Sequence, residues 1–386
     1  MKPRKNGILY VIENEFFGGG EQAFAHLING LDGSRFNVSA ACLTGSLNPA
    51  SGVFTEKIKA KAQVISLDLR RRINPFKIFL LKKIIRAGGI GIVHSQGPRA
   101  DFYARLAARL AGGAAVVSTV AAPVEEYNVG ALRKAAYKAL NKFGEGGVDK
   151  FIAVAGHIEK KLSARGIPPE KIQRIYNGIP VEEYIVGPEK AREARKARDI
   201  EEDCFLAAVF CRLSWEKGLF SLIDAAKIIA GGGDVPAGGI KYLIVGEGPL
   251  EKDLKARVKS LGLEDSFVFT GFVDDVKPLL SAADVVVLPS FREGFPVGVL
   301  EAMAMGKPVI ASDIDGINES VSDGQSGLLV PPGNAAALAG AISALFNSRE
   351  RALELGRRGR IVAAERFGVE KMVKPHEELY GRLLQL

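Results

Sequence analysis

Twelve short apolar runs alternate along this chain with longer segments of helical periodicity. Six lie in the first half (GILYVI, FNVSAACL, QVISLD, GIVHSQG, AAVVSTV and KFIAVA) and six in the second (CFLAAVF, IKYLIVG, SFVFTG, DVVVLPS, KPVIAS and SGLLV). Their apolar residues are nearly continuous, which is typical of parallel strands buried on both faces. Because helical segments connect successive runs, the sequence predicts two α/β domains, each a Rossmann-like, doubly wound parallel sheet.

The length of 386 residues is that of two ordinary domains. A turn-rich and then strongly charged stretch at residues 177–203 marks the division, and its KAREARKARD segment is interpreted as a solvated helix or linker. We predict an N-terminal domain over residues 1–185 and a C-terminal domain over residues 186–365. Ligands of such sheets bind at the carboxyl ends of the strands, so two domains facing each other would form a cleft lined by these loops.

Composition limits the class of protein and of partner. With 47% hydrophobic and 25% charged residues and no apolar run of about 18 residues, the chain is typical of a globular protein without a membrane-spanning helix. Three cysteines and four histidines form no metal-binding cluster, and so few cysteines favour a cytoplasmic location. The net charge of +8 fits an anionic membrane or phosphorylated ligands, and without an RNA-binding signature or zinc finger we expect no nucleic-acid partner.

Three glycines, Gly18 to Gly20, follow the first strand and precede a helix predicted to begin near Glu21. Such a loop lets backbone N–H groups approach an anion at a helix N-terminus. Many strand-to-helix turns are rich in glycine for steric reasons alone, so contact with a phosphate or sugar and a purely steric role both remain open.

Two cations follow the first strand of the second half, in the segment CRLSWEKGL. Arg212 comes directly after the strand, and Lys217 precedes a helix predicted to begin near Leu219. Cations at a strand end and a helix N-terminus can hold a diphosphate from two sides. The alternative is a pair of surface charges, with Lys217 paired to Glu216 or Glu201.

A tight turn, Gly246-Glu247-Gly248, follows the next strand and resembles part of a dinucleotide fingerprint. The third glycine position is occupied by Glu251, so a full NAD fingerprint is absent. The turn is either a simple strand-to-helix connection or one that lies beside a ligand.

Two glutamates, Glu293 and Glu301, stand eight residues apart in REGFPVGVLE, in an otherwise apolar setting. A helix beginning near Pro296 would hold them up to ~12 Å apart, whereas the carboxyl pairs of glycoside hydrolases are about 5–9.5 Å apart. The spacing therefore favours a grip on both ends of one extended ligand, with the backbone N–H groups of residues 294–297 between them. The alternative is a pair of ordinary acidic residues near a helix N-terminus.

Together these segments resemble glycosyltransferase family 4, a group of retaining enzymes with the GT-B fold. The resemblance extends over nearly the whole chain and is strongest from residue 283 to residue 334, ADVVVLPSFREGFPVGVLEAMAMGKPVIASDIDGINESVSDGQSGLLVPPGN. The segments YNGI, CRLSWEKGL, VGEGPL and GFVDDV match its other motifs in order. It implies that a last helix, at about residues 366–386, completes the N-terminal, acceptor-side domain, while the C-terminal domain binds the donor nucleotide sugar.

The resemblance also implies roles for matching positions. Arg212 and Lys217 would bind the donor diphosphate. Glu301 would accept hydrogen bonds from the ribose, and Glu293 from the transferred sugar, so that Arg212, Lys217 and Glu293 would be the catalytic residues. The other expected donor-binding positions are Gly18, Gly19, Gly246, Phe272, Val273, Gly294, Phe295, Pro296 and Val297.

No metal or other cofactor is expected, because cationic side chains and helix termini would stabilise the charge of a UDP-, GDP- or ADP-sugar donor. The Asp313–Asp315 pair resembles a metal-binding D-x-D motif but falls at a family turn and is interpreted as structural. A histidine that commonly contacts the donor sugar in this family is replaced by Ala121, followed by Ala122. His94 and His157 do not match its position and are interpreted as structural.

Residues 70–86, RRRINPFKIFLLKKIIR, carry seven basic residues and no acidic one among Ile, Phe and Leu. Basic side chains near an anionic leaflet contribute about 1 kcal/mol each, and an amphipathic helix adds apolar burial. Peripheral attachment to the inner face of a membrane and an ordinary surface helix both remain open.

The leading functional hypothesis is a retaining glycosyltransferase that moves a sugar from a nucleotide sugar to a carbohydrate or lipid-linked acceptor, in cell-envelope, exopolysaccharide or lipopolysaccharide synthesis. One alternative is a glycosyltransferase that makes a small soluble glycoside. Another is a catalytically impaired relative that binds nucleotide sugar, motivated by Ala121.

Overall fold

The computed structural model describes residues 6–13, 17–44, 50–68, 74–122, 144–232 and 238–385, together with the isolated residues 130, 135, 139 and 142. The chain divides into two compact units, Met1–Gly178 with Val369–Leu386, and Ile179–Gly368. The first boundary lies seven residues before the predicted one at 185/186. Ile179 belongs with the second unit because its N–H donates to the carbonyl of Phe367 (2.9 Å) and it forms a bridge with Gly368.

The first unit contains a seven-stranded parallel sheet in the order β3-β2-β1-β4-β5-β6-β7. Its strands are β1 (Gly7–Glu13), β2 (Asn37–Thr44), β3 (Gln63–Asp68), β4 (Ile90–Gln96), β5 (Ala115–Val120), β6 (Lys150–Ala153) and β7 (Ile172–Arg174). Its described α-helices are Gly19–Gly30, Ala50–Ile58, Pro75–Ala87, Pro98–Ala111, Gly156–Ala164 and Val369–Leu384. The strand order reverses between β1 and β4, as in doubly wound folds.

The C-terminal helix Val369–Leu384 joins the first unit through a buried chain of hydrogen bonds. The hydroxyl of Tyr380 lies 2.9 Å from that of Tyr10 on β1 and 2.6 Å from Nδ1 of His94 on β4. Nε2 of His94 lies 2.7 Å from the hydroxyl of Thr119 on β5. Burial lowers the pKa of His94 well below its usual value, so its ring is neutral and structural at physiological pH.

The second unit contains a six-stranded parallel sheet in the order β10-β9-β8-β11-β12-β13. Its strands are β8 (Phe205–Phe210), β9 (Ile240–Val245), β10 (Phe267–Gly271), β11 (Val285–Leu288), β12 (Val309–Ser312) and β13 (Leu328–Val330). Its α-helices are Pro188–Lys196, Leu219–Gly231, Glu251–Ser260, Lys277–Ala282, Val297–Ala304, Ala335–Phe346 and Arg349–Phe367. The KAREARKARD segment lies largely on the helix Pro188–Lys196, which is mostly exposed.

In the second unit the strand order reverses between β8 and β11, and ligands of open α/β sheets bind at such a switch point. The strands are apolar throughout because helices cover both faces of the sheet. Within the described ranges, no helix is both long and apolar enough to span a lipid bilayer.

Candidate functional site

The loops that follow β8 and β11 meet at the switch point of the second unit. The N–H of Phe291 donates to the carbonyl of Glu216 (2.8 Å) and joins the two loops. Gly218 makes the approach possible, because a Cβ there would lie 1.9 Å from the carbonyl oxygen of Pro289. Its φ of +64° also lies in the left-handed region that glycine adopts without strain.

Lys217 and Glu293 form an ion pair across these loops, with 2.7 Å between Nζ and Oε1. Their side chains are only 20% and 8% exposed, and the hydroxyl of Ser290 donates a second hydrogen bond to the same Oε1 (2.7 Å). Burial by itself lowers the pKa of Lys217. The negative charge of Glu293, together with other nearby groups, has the larger effect, so the pKa is raised overall. The ammonium group therefore stays charged at physiological pH.

The alternative in which Lys217 pairs with Glu216 or Glu201 does not describe the structure, because the ammonium group is paired with Glu293 instead. Glu216 accepts a hydrogen bond from the hydroxyl of Ser214 (2.6 Å). Arg212 is exposed in the same loop, two residues after the end of β8. The sequence prediction that both cations stand at this strand end agrees with their positions, while binding of a diphosphate stays a prediction.

Trp215 lies between Arg212 and Lys217 in the loop after β8, and its side chain is exposed. Its ring stacks on that of Phe291, with centroids 5.3 Å apart, and the guanidinium of Arg292 lies 5.3 Å from its centroid. The aromatic contact adds a third connection between the two loops that carry Lys217 and Glu293, after the backbone hydrogen bond and the ion pair.

The helix Val297–Ala304 begins one residue after Pro296, close to the predicted start. Phe295, Pro296 and Val297 are buried and Gly294 is half-buried, so the backbone of residues 294–297 carries the chain from Glu293 into the helix N-terminus. The first N–H groups of a helix have no intrahelical acceptor and favour negative charge.

Glu301 lies in the second turn of this helix, where Oε1 accepts a hydrogen bond from the hydroxyl of Tyr184 (2.7 Å). The apolar setting predicted for the two glutamates thus contains a specific polar partner for each, Lys217 with Ser290 for Glu293 and Tyr184 for Glu301. Each carboxylate is satisfied in part by the protein, as buried charges require.

The loops after β9 and β10 lie next to the loop after β8. Gly246 has a φ of +132°, and a Cβ there would lie 2.0 Å from the carbonyl oxygen of Cys211, so the turn presses directly on the residue before Arg212. The N–H of Gly246 donates to the carbonyl of Gly271 (2.9 Å), which places Phe272 and Val273 next along the same edge. Phe272 is exposed and Val273 half-buried.

In the first unit, the glycine-rich loop ends in a helix that begins at Gly19, two residues before the predicted Glu21. The N–H of Gly18 donates to the Glu21 carboxylate (3.0 Å), so this donor is already used within the loop. Burial raises the pKa of Glu21 to about 7. Gly18 and Gly19 are both exposed, and their contact with a donor stays a prediction.

Ala121 and Ala122 are half-buried directly after β5, at the carboxyl edge of the first sheet. The residues that follow, 123–129, lie outside the described ranges. In the described part of the chain, no three His, Cys, Asp or Glu side chains gather as metal ligands would. The N–H of Asp313 donates to the carbonyl of Val330 (2.8 Å), directly after the residues that pair β12 with β13.

Sequence reasoning missed two residues of the site. Ser290 directly precedes the quoted FREGFP motif, and its hydroxyl bond to Glu293 could have been suspected from that proximity alone. Tyr184 is 117 residues from Glu301, and no spacing or periodicity in the sequence connects them.

Comparison with protein families matches both units. The model described as Glycosyltransferase Family 4 matches residues 17–183, and the model described as Glycosyl transferases group 1 matches residues 190–362. EpsD of Bacillus subtilis (strain 168), which is named a glycosyltransferase, is 30% identical over 319 residues, covering 79% of this chain and 80% of EpsD. The UDP-Gal:alpha-D-GlcNAc-diphosphoundecaprenol alpha-1,3-galactosyltransferase of Escherichia coli is 28% identical over 78% of this chain and 77% of its own.

Among solved structures, Anabaena Alr3699/HepE in complex with UDP and glucose superposes with a TM-score of 0.82 at 22% identity, covering 97% of this chain and 99% of HepE. At this identity the likeness concerns the fold alone. It confirms the predicted fold class, GT-B, with two Rossmann-like doubly wound domains.

Proposed function

We propose that this chain, which belongs to glycosyltransferase family 4, transfers a sugar from a nucleoside-diphosphate sugar to an acceptor with retention of the anomeric configuration. The observation that carries the proposal is the pairing of Lys217 with Glu293 at the switch point of the second sheet. A cation held beside a carboxylate, at the place where such sheets bind ligands, suits a donor with a charged diphosphate and a hydroxyl-rich sugar.

The two cations and the two carboxylates bind different parts of the donor. Lys217 stays charged and, with Arg212, neutralises the diphosphate. Among the described residues no donor reaches the second oxygen of Glu293, so this oxygen accepts from the hydroxyls of the transferred sugar. Glu301 accepts from the ribose hydroxyls, and the nucleobase lies against Phe272 and Val273.

The reaction proceeds on the front face of the sugar. The acceptor hydroxyl oxygen attacks the anomeric carbon as the bond from that carbon to the diphosphate oxygen breaks, and the hydroxyl proton passes to the departing oxygen. Arg212, Lys217 and the N-terminus of the helix Val297–Ala304 stabilise the charge that develops on the leaving group. We propose that no metal ion takes part, and that Ala121 lowers the rate without removing the reaction.

The names of the relatives guide the choice of substrates. The Escherichia coli relative is named for a UDP-galactose donor and a diphosphoundecaprenol-linked acceptor, and the HepE structure contains UDP and glucose. We propose a UDP-sugar as donor and a lipid-linked or polysaccharide acceptor of the cell envelope.

A thermal-shift and calorimetry panel of UDP, GDP, ADP and their sugars tests donor binding. We expect UDP to bind the native chain, and we expect Lys217→Met to weaken this binding. Binding of none of these nucleotides contradicts the proposal. Donor hydrolysis and transfer are then measured with the native chain and with Ala121→His. If both proteins bind the donor but neither turns it over, the alternative of a catalytically impaired relative is favoured.

We propose that residues 70–86 contact an anionic membrane, and the exposed side of the helix Pro75–Ala87 supports this proposal. Ile78, Leu81 and Ile85 are buried, whereas Phe76 and Phe79 are 81% and 58% exposed. Residues 70–73, which carry three of the seven basic residues, lie outside the described ranges. Exposed aromatic rings among basic side chains fit the surface of an anionic bilayer, where a lipid-linked acceptor is held.

Co-sedimentation with vesicles of phosphatidylglycerol and phosphatidylcholine tests this contact. Binding should require phosphatidylglycerol, weaken as salt is raised, and fall in the double variant Phe76→Ser/Phe79→Ser. Leu353→Ser/Ile361→Ser is a matched control, because it removes two exposed apolar residues from a helix of the second unit. Equal binding to neutral vesicles, or equal loss in both double variants, would contradict the contact.

A further inference from the structure

Tyr184 holds one oxygen of Glu301. The ring is buried, and the hydroxyl donates to Oε1 over 2.7 Å. A hydroxyl that donates to a carboxylate makes a charge-assisted bond, which is stronger than a bond between neutral groups. Burial and the charge of Glu301 both raise the pKa of Tyr184, so the phenol keeps its proton and remains the donor at physiological pH.

The phenol is itself anchored to the helix that carries Glu301. The carbonyl of Tyr184 accepts a hydrogen bond from Nη1 of Arg360 (3.1 Å), and the same nitrogen donates to the carbonyl of Ala304, the last residue of that helix. On the ring, the ammonium of Lys277 lies 5.0 Å from the centroid and is paired with Glu183 (3.3 Å). Backbone and ring are therefore both fixed relative to the helix Val297–Ala304.

A carboxylate offers about four lone-pair positions, and a single phenol donor occupies one of them. A glutamate side chain has several staggered rotamers, each of which turns its oxygens in a different direction. The bond from the fixed hydroxyl of Tyr184 favours the rotamer that makes it, and so gives the Glu301 carboxylate the constant direction that two adjacent hydroxyl groups require for simultaneous bonds.

We propose that Tyr184 is a positioning residue that orients the Glu301 carboxylate toward the ribose hydroxyls of the donor, so that selection of ribose over sugars lacking these hydroxyls depends on both residues. This inference rests on the proposed function, in which Glu301 receives the ribose. Tyr184 contributes through Glu301 and not by contact with the reacting atoms.

Tyr184→Phe tests the inference because it removes one oxygen and keeps the ring. Dissociation constants are measured by calorimetry for UDP and for 2′,3′-dideoxy-UDP. A carboxylate that is no longer oriented bonds the ribose hydroxyls less well, and loss of one such hydrogen bond to a charged group is expected to weaken UDP binding about tenfold, while the affinity for the dideoxy nucleotide stays unchanged. The preference for UDP over its dideoxy form therefore falls by the same factor.

Tyr242→Phe is the matched control. This tyrosine is also buried in the second unit, and in the described part of the chain its hydroxyl has no hydrogen-bond partner, so neither affinity should change. In a Glu301→Gln background, Tyr184→Phe should have no further effect on the preference, and thermal unfolding of each variant checks that it is folded.

Three outcomes separate the two proposals. If the native chain binds none of UDP, GDP and ADP, the proposed function fails. If it binds another of the three, that nucleotide and its dideoxy form replace the uridine pair. If a nucleotide binds but Tyr184→Phe keeps the native preference, or weakens both forms equally, the positioning role is overturned while the proposed function stands.

Discussion

Replacement of Gly218 by alanine perturbs the approach of the two loops that carry Lys217 and Glu293. The new Cβ would lie 1.9 Å from the carbonyl oxygen of Pro289, so the loops would have to separate by about 1.5 Å to reach ordinary contact distance. Gly262 provides a matched control, because its φ of +66° nearly equals the +64° of Gly218 while nothing lies within 4 Å of its ideal Cβ.

The control separates the cost of the backbone conformation from the cost of the clash. A left-handed conformation costs a non-glycine residue about 1–2 kcal/mol, and this amount is common to both variants. Only Gly218→Ala also strains the hydrogen bond from Phe291 to Glu216 and the bond from Lys217 to Glu293. Their loss costs about 1 and about 2 kcal/mol, so Gly218→Ala should be less stable than Gly262→Ala by about 3 kcal/mol.

Trp215 makes this difference measurable at the site itself. It is the one tryptophan of the sequence, and it lies three residues before Gly218. For a unit of this size 1 kcal/mol shifts Tm by about 2–4 °C, so Gly218→Ala should unfold about 6–12 °C below Gly262→Ala when tryptophan fluorescence is followed during heating. Equal Tm values for the two variants would refute the inference that the close approach of the loops is stabilising.

Further predictions concern charge. The pKa of Glu21 is raised to about 7, so its contribution to stability is present below about pH 4.5 and is lost as pH rises through 7. The decline of Tm between pH 5 and 8 should therefore be smaller in Glu21→Gln than in the native chain. Equal declines of Tm in the two proteins would contradict this. Burial lowers the pKa of His376 to about 4 and holds the pKa of His94 well below its usual value, so protection of the C-terminal helix from hydrogen exchange should be full above pH 6.5 and fall toward pH 4. Constant protection over this range would count against the prediction. Lys217→Met leaves the buried carboxylate of Glu293 without its cation and should lower the free energy of unfolding by about 3 kcal/mol. The double variant Lys217→Met/Glu293→Gln should recover part of this stability. A double variant whose loss equals the sum of the two single losses would exclude an energetic coupling between the two residues.

The fold was largely predictable because its strands are buried on both faces. Twelve of the thirteen described strands coincide with apolar runs. The exception, β7 (Ile172–Arg174), is three residues long and includes Gln173 and Arg174, so neither its length nor its composition distinguishes it from a turn. Parallel pairing followed from the helices between the runs, since parallel strands need long crossover connections.

The site was predictable where topology alone brings residues together. The carboxyl ends of parallel strands meet at one edge of a sheet, so the sequence predicted that Lys217 and Glu293 lie in loops at the same edge; that the two loops are neighbours follows from the strand order of the structure. Their direct pairing was not predictable, because 76 residues separate them and local alternatives such as Glu216 were equally compatible with the sequence. The bond from Tyr184 to Glu301 was not predictable from sequence periodicity either, because it depends on where an irregular segment packs against a helix.

The helix Val369–Leu384 has a consequence for biosynthesis. Tyr10 and Tyr380, which are hydrogen-bonded in the first unit, are 370 residues apart, so at 5–20 residues per second roughly 20 to 75 s pass between their syntheses. The second unit ends at Gly368 and is fully synthesised before this helix exists. During that interval the buried hydroxyl of Tyr10 and the ring of His94 lack the partner that later covers them. The N-terminal unit therefore completes its native contacts only after the second unit has been synthesised, although it is the first to emerge.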